Sequence, residues 1–125
     1  MTYVHHLNEI DYVNAHATST PVGDAIEAQA IYNIFGGKVP VSSTKSMTGH
    51  LLGAAGVIEA IACVMSVKNN IIPPTINHFE RDDKIDKKLN LTFNVSQEKE
   101  VNYAISNTFG FGGHNGSALF KKFSE

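Results

Sequence analysis

At 125 residues and 42% hydrophobic content, the chain has the size of one domain and enough apolar side chains for a moderate core. Ten basic against twelve acidic side chains leave a formal charge of -2, which gives no nucleic-acid footprint and no polybasic membrane patch. A single cysteine, Cys63, rules out an intramolecular disulfide, and no charged, apolar leader precedes the body of the chain, so the expectation is a cytoplasmic protein.

In chain order, a short polar lead in "MTYVHHLNEIDYVNAH" gives way to an apolar run at Tyr12, Val13 and Ala15, which predicts a strand entering a sheet centre. "TSTPVGD" then breaks the strand and opens a helix. Ala25, Ile26, Ala30, Ile31 and Ile34 recur at helical intervals as its apolar face, with Gly36 and Gly37 as the stop. "KVPVSST" reads as a short second strand, and a polar loop, "TKSMTGH", leads into a helix from about Leu52 to Lys68 that Asn69 and Asn70 end. This stretch is interrupted by Glu59 and rich in Gly and Ala, so it reads as a core helix and not a membrane span. Its glycines, each costing about 1 kcal/mol relative to alanine in a helix, suggest close approach of another backbone. Pro73 and Pro74 make "IIPPTIN" extended, and "HFERDDKIDKKLN" reads as a solvated surface loop. "LTFNV" and "NYAISNTF" look like strands. The glycine-rich turn "GFGGHN" links the second of them to "GSALFKKF" as an antiparallel neighbour. The order β-α-β-α-β-β points to a layered α/β sheet with helices against it.

Three histidines sit where elements end: His16 after the first strand, His50 at the head of a helix, and His114 in the glycine turn. Such positions suit chemistry, since catalytic groups sit on loops held by rigid elements. A zinc site lacks support, with no H-E-x-x-H, no paired cysteine and no spacing that fixes two ligands on one helix face. Nucleotide binding fares no better. "GFGGHNG" lacks the G-x-G-x-x-G spacing, and "GGKVP" lacks the Walker spacing.

Four motifs, "NAHATSTPVGDAIEAQAI", "SSTKSMTGHLLGAAGVIEAI", "PPTIN" and "SNTFGFGGHNGSALF", closely resemble the C-terminal half of the β-ketoacyl-acyl carrier protein synthases, in particular the elongating type II enzymes. The resemblance runs in order from about Ile10 to Phe123. It implies an α/β chain that is the C-terminal half of a thiolase-like αβαβα layered fold, with residues 1–125 as that half and the nucleophile-bearing N-terminal half absent. The implied reaction is a decarboxylative Claisen condensation of an acyl thioester with malonyl-acyl carrier protein. Acyl carrier protein and malonyl and acyl thioesters are the implied partners, in a homodimer, with no cofactor, no metal, no nucleic acid and no membrane.

By motif match, His16 and His50 would be the family's two histidines and Lys45 its accompanying lysine. Loss of carbon dioxide leaves an enolate whose oxygen needs stabilising, and two imidazole N–H donors suit that task. An imidazole titrates near roughly 6.5, so a neighbouring ammonium would keep it neutral at working pH, and Lys45 is expected to do so for His50. Glu59, nine residues beyond His50, is the carboxylate expected to pair with Lys45. Asp24, in the first turn of a helix, is read either as a dipole partner or as site support. The resemblance places Thr18 and Thr20 at a pantetheine entrance and makes Phe109 or Phe111 a gate to an acyl pocket, against a plain core contact. Cys63 lies deep in "AIACVMSV", where a thiol behaves as a small hydrophobe, so the chain alone is expected to condense nothing. A polyketide-type ketosynthase and a non-catalytic partner resembling a chain-length factor are the alternatives. Retention of both histidines and the lysine favours the enzyme.

Overall fold

The computed structural model describes residues 7–124; the polar lead at 1–6 lies outside them. After a 3-10 turn at Leu7–Glu9 come β1 (Tyr12–Asn14), α1 (Gly23–Phe35), β2 (Val41–Ser42), α2 (Lys45–Thr48), α3 (Ala55–Asn69), β3 (Ile71–Ile72), β4 (Gln97–Glu98), β5 (Tyr103–Gly110) and β6 (His114–Lys121). The main sheet runs β2-β1-β5-β6, with β1 parallel to both β2 and β5 and β6 antiparallel to β5. β3 and β4 form a separate antiparallel pair.

Alternation along β1 builds two cores on opposite sheet faces. Val13 and Ala15 join Ala28 and Ile31 of α1 with Ile10, Val39, Val41 and Leu89, while Tyr12 faces the other way, into Cys63 and Val67 of α3 with Ile72, Val101 and Ala104. A period of two side chains per strand repeat produces this split. The result is a helix, sheet, helix sandwich. β1 is buried along its whole length, as expected of a central parallel strand.

Several boundaries differ from the sequence reading. The inward face of α1 is Glu27, Ala28 and Ile31, while Ile26, Ala30 and Ile34 are exposed; the turn is set by Glu27, which reaches beneath the sheet end for backbone N–H groups. The polar "TKSMTGH" stretch is not all loop: it holds α2, closed by the Gly49 N–H onto the Lys45 carbonyl. α3 starts at Ala55 because Leu52, at φ 50°, takes the chain first through a 3-10 turn. It stops at Asn70 in the left-handed conformation, whose side chain accepts the Val101 N–H at 3.2 Å. Nothing approaches the open faces of Gly53 and Gly56 within 4 Å among the described residues. "LTFNV" is not a ladder strand but makes single parallel bridges, Leu91 to Val41 and Phe93 to Thr75, before Asn94 at φ 58° bends it away. The charged 78–90 segment is a largely exposed loop, tied by Arg81 to the Asp86 and Leu89 carbonyls.

α3 packs on β5 and β6, yet turns Val57, Ile61, Val64 and Met65 outward. With its 3-10 lead, Leu52–Asn69 is long and apolar enough to cross a membrane by length and composition. Glu59 and Ser66 on its inner side are nevertheless buried against the sheet layer.

Candidate functional site

Because β1, β2 and β5 are parallel, their C-terminal ends open on one side of the sheet, the side where ligands gather in open α/β folds. His16 follows β1, Lys45 and His50 follow β2, and Phe109 lies near the end of β5. The three chain segments therefore meet. The His16 and His50 rings stand edge to face with centroids 5.6 Å apart, and Phe109 meets His16 at 5.4 Å.

His16 is held through its backbone. Glu27 accepts the His16 N–H at 2.9 Å on Oε1 and the Ala17 N–H at 2.8 Å on Oε2, and Asn107 donates its side-chain amide to Oε1 at 3.3 Å. Burial pushes the Glu27 carboxyl above its ordinary range, with these donors pulling the other way. Ser43 closes the loop by donating to the Ala17 carbonyl at 2.9 Å. The ring itself is drawn toward neutrality: burial lowers its pKa first, then the positive field of Lys45 and the proximity of His50, against a weaker pull from Asp24. Its Nδ1 is buried without a hydrogen-bond partner among the described residues.

Lys45 begins α2, and its ammonium donates to Glu59 Oε1 in a buried ion pair. The second carboxylate oxygen, Oε2, is buried and has no hydrogen-bond partner among the described residues. The α2 turn is fastened on three sides. Ser46 Oγ donates to the Ser43 carbonyl at 2.9 Å, the Ile76 N–H donates to Ser46 Oγ at 2.9 Å, and the Ser43 N–H donates to Thr75 Oγ1 at 2.8 Å. The two prolines earlier in "IIPPTIN" thus deliver a clamp for the lysine. Gly49, at φ 74°, then reverses the chain so that His50 projects into the exposed side of the site. His50 Nδ1 accepts the Leu52 N–H at 3.3 Å, which in the neutral ring leaves the proton on Nε2, free to donate.

The structure thus brings together His16, His50, Lys45, Glu59 and Phe109. Asp24 stands apart, accepting the Thr20 N–H at 3.1 Å in a turn that starts α1, with only its charge reaching His16. Thr18 is half-buried and donates to the exposed Thr20 at 3.5 Å. Phe111 is 99% exposed at the tip of the glycine turn, so it is no core contact, and His114 is exposed beside Gly112. Cys63 is wholly buried, its thiol pushed up to about 12 by burial and by the Glu59 charge against a hydrogen bond from Asn14. Among the described residues no three His, Cys, Asp or Glu side chains gather as a metal ion would require. The sequence reading missed Glu27. Its signal was an acid adjoining Ala28 and four residues before Ile31, the two buried apolar positions of α1.

The description "Beta-ketoacyl synthase, C-terminal domain" belongs to the family that matches residues 4–79. The Staphylococcus aureus (strain COL) protein named 3-oxoacyl-[acyl-carrier-protein] synthase 2 is 51% identical over 118 residues, covering 92% of this chain and 28% of that protein. The chain therefore spans little more than a quarter of that relative's length. A crystal structure of a β-ketoacyl synthase from Burkholderia phymatum STM815 superposes with a TM-score of 0.89 at 41% identity, over 94% of this chain and 29% of that one. A type II polyketide acyl-carrier protein in complex with its ketosynthase bound to the hexaketide aligns at a TM-score of 0.88 and 29% identity, over 95% of this chain and 29% of that one.

Proposed function

The chain belongs to the β-ketoacyl synthase C-terminal domain family, with the thiolase-like α/β fold, and from that premise we propose that it carries the enolate-stabilising part of a 3-oxoacyl-acyl carrier protein synthase of fatty acid elongation. The observation that carries this reading is the edge-to-face histidine pair. The two rings stand with centroids 5.6 Å apart beside the C-terminal ends of the parallel strands.

In this reading the thioester carbonyl of a malonyl-acyl carrier protein lies between the rings. As carbon dioxide leaves, the electron pair of the breaking C–C bond moves onto the thioester, and its oxygen gains negative charge. His50 donates from Nε2, the nitrogen that its bond with Leu52 leaves protonated. His16 donates as a neutral ring, with burial and Lys45 opposing its protonation. Fixed donors of this kind lower the barrier because no solvent must reorganise. The carbanion then attacks the carbonyl carbon of an acyl group held as a thioester on a cysteine, forming the new C–C bond as the C–S bond breaks and the cysteine leaves as a thiolate. Cys63 is not that cysteine, being buried with a raised pKa, and the nucleophile comes from another part of the working enzyme. Phe109 shields the His16 ring from water and borders the acyl path, Thr18 and Thr20 line the pantetheine approach, and Asp24 keeps their turn closed.

Acyl carrier protein is the partner that delivers both thioesters, as supported by the carrier complex of the similar ketosynthase. The 51% identity to a 3-oxoacyl-[acyl-carrier-protein] synthase 2, against 29% to the polyketide ketosynthase, favours fatty acid over polyketide synthesis. The working unit is a cytoplasmic homodimer.

The test joins this chain to the nucleophile-bearing portion of the Staphylococcus aureus relative and measures malonyl-acyl carrier protein decarboxylation. His16→Ala and His50→Ala are each expected to lower kcat by about 10²- to 10³-fold, the usual loss for one oxyanion donor. Full decarboxylation in both variants refutes the assignment.

A further inference from the structure

We propose that Asn14 is a positioning residue for this site: its carboxamide fastens Thr44, the residue immediately before α2, to the central strand and so sets where Lys45 stands between Glu59 and His16. The proposal rests on the reading of Lys45 and His16 given above.

Asn14 is wholly buried in the middle of the sheet, where an apolar β-branched residue would ordinarily sit. A carboxamide there is tolerated only with its hydrogen bonds made. It makes them to Thr44. Nδ2 donates to Thr44 Oγ1 at 3.0 Å, and Oδ1 lies 3.3 Å from both the Thr44 backbone N–H and the Thr44 hydroxyl. Thr44 is thus gripped by main chain and side chain at once.

The grip matters because α2 cannot order itself. It has four residues, from Lys45 to Thr48, and no side-chain cap, far below the length at which a helix sustains its own turns. Its position is inherited from what holds its ends. Ser46 is tied to Ser43 and Ile76, but these partners are loop residues. Asn14 is the tie to a rigid strand, paired on both sides with β2 and β5.

Strand geometry adds a second consequence. Asn14 and His16 are two residues apart. One run of backbone therefore carries the histidine and sets the start of the turn that carries the lysine. Strand β1 and helix α2 are therefore referenced to one buried side chain. The charged and titratable groups around His16 are Lys45, His50 and Asp24, with Glu27 on its backbone; of these, only Lys45 has its position set by Asn14.

Two measurements test this. The first follows the His16 ring by NMR across pH in the 125-residue chain. The second follows malonyl decarboxylation in the joined protein described above. Asn14→Leu keeps the branched heavy-atom outline and removes both hydrogen-bonding ends; Thr44→Val removes only the hydroxyl; Thr44→Ser retains it. Asn14→Leu and Thr44→Val are expected to move the His16 midpoint upward, as the lysine loses its fixed place. They should also lower kcat by roughly tenfold to a hundredfold, the scale of an ångström misplacement, with KM changed less than about twofold. Thr44→Ser should match the parent. If Asn14→Leu does not fold, Thr44→Val alone decides. A His16 midpoint unmoved in the folded variants, or a kcat that falls only with the folded fraction, overturns the proposal. Because the NMR midpoint does not depend on turnover, it judges Asn14 even if His16→Ala leaves decarboxylation intact, a result that would sink the proposed function instead.

Discussion

Removing Glu59 strands the Lys45 ammonium in a place where both side chains are almost fully shielded, 4% and 2% exposed. Breaking a buried pair by deleting one partner costs about 3 to 5 kcal/mol. Here the two deletions are not equivalent. Glu59 Oε2 is already buried and unpartnered, so Glu59→Leu removes an unsatisfied acceptor worth about 1 to 2 kcal/mol, and the net loss falls to about 2 to 4 kcal/mol. Lys45→Met instead leaves both carboxylate oxygens unpaired, and its loss should stand at the upper end, about 4 to 5 kcal/mol. Against a total stability of about 5 to 15 kcal/mol these are large changes. At about 4 °C per kcal/mol for a chain of this size, melting points should fall by about 8 to 15 °C for Glu59→Leu and by more for Lys45→Met. The double variant, apolar on both sides, should recover most of the loss. Urea and thermal unfolding of all four proteins at pH 7, followed by circular dichroism, complete the cycle. Singles within about 1 kcal/mol of the parent, or a double equal to the sum of the singles, would show that the pair is not a coupled buried contact, and the reasoning fails.

Three other outcomes follow from local geometry. Glu27→Ala leaves the His16 and Ala17 N–H groups and the Asn107 amide without their acceptor; it should cost about 3 kcal/mol in urea unfolding and speed amide exchange at residues 16 and 17, while exchange at the parent rate would contradict the clamp. The depressed pKa of His16 means that the unfolded chain binds its proton first as pH falls through the ordinary value of 6.5; stability should therefore decline on acidification from pH 7.5 toward pH 5, as about that range brackets the ordinary titration, and His16→Gln should flatten part of that slope in melts taken across it. Gly37→Ala drives a Cβ into the Lys88 carbonyl oxygen, a backbone atom with little room to yield, whereas the same change at Gly56 meets open space within α3; the first should destabilise by at least about 1 to 3 kcal/mol and the second stabilise by up to about 1 kcal/mol, and equal melting points for the two would contradict this packing.

The elements with strong periodicity or strong punctuation were legible in the residues alone. β1, β5 and β6 were, and so was α3 with its asparagine stop. The Lys45–Glu59 pair was legible too, since a single acid on an otherwise apolar helix must find a cation. What was not legible had a common cause: polar residues doing interior work. Glu27 and Asn14 did not stand out in the sequence, because patterning assigns polar side chains outward. Both are buried because backbone N–H groups at strand and helix ends need acceptors. The inferred face of α1 included Ile26 and Ile34, which the fold leaves exposed. α2 was hidden for another reason. One helical turn has no periodicity to detect, and its order comes from Asn14, Thr75 and Ile76, about thirty residues away on either side by the loop-length scale on which local patterns are blind.

Helix α3 is greasy on both flanks, with Val57, Ile61, Val64 and Met65 left facing water while Cys63 and Val67 are sealed against the sheet. Such a rod has no wettable side to offer during synthesis or storage. Handling of this polypeptide is therefore governed by dose and company: dilute preparations or a covering surface keep it dispersed, and crowding without one drives it into clumps.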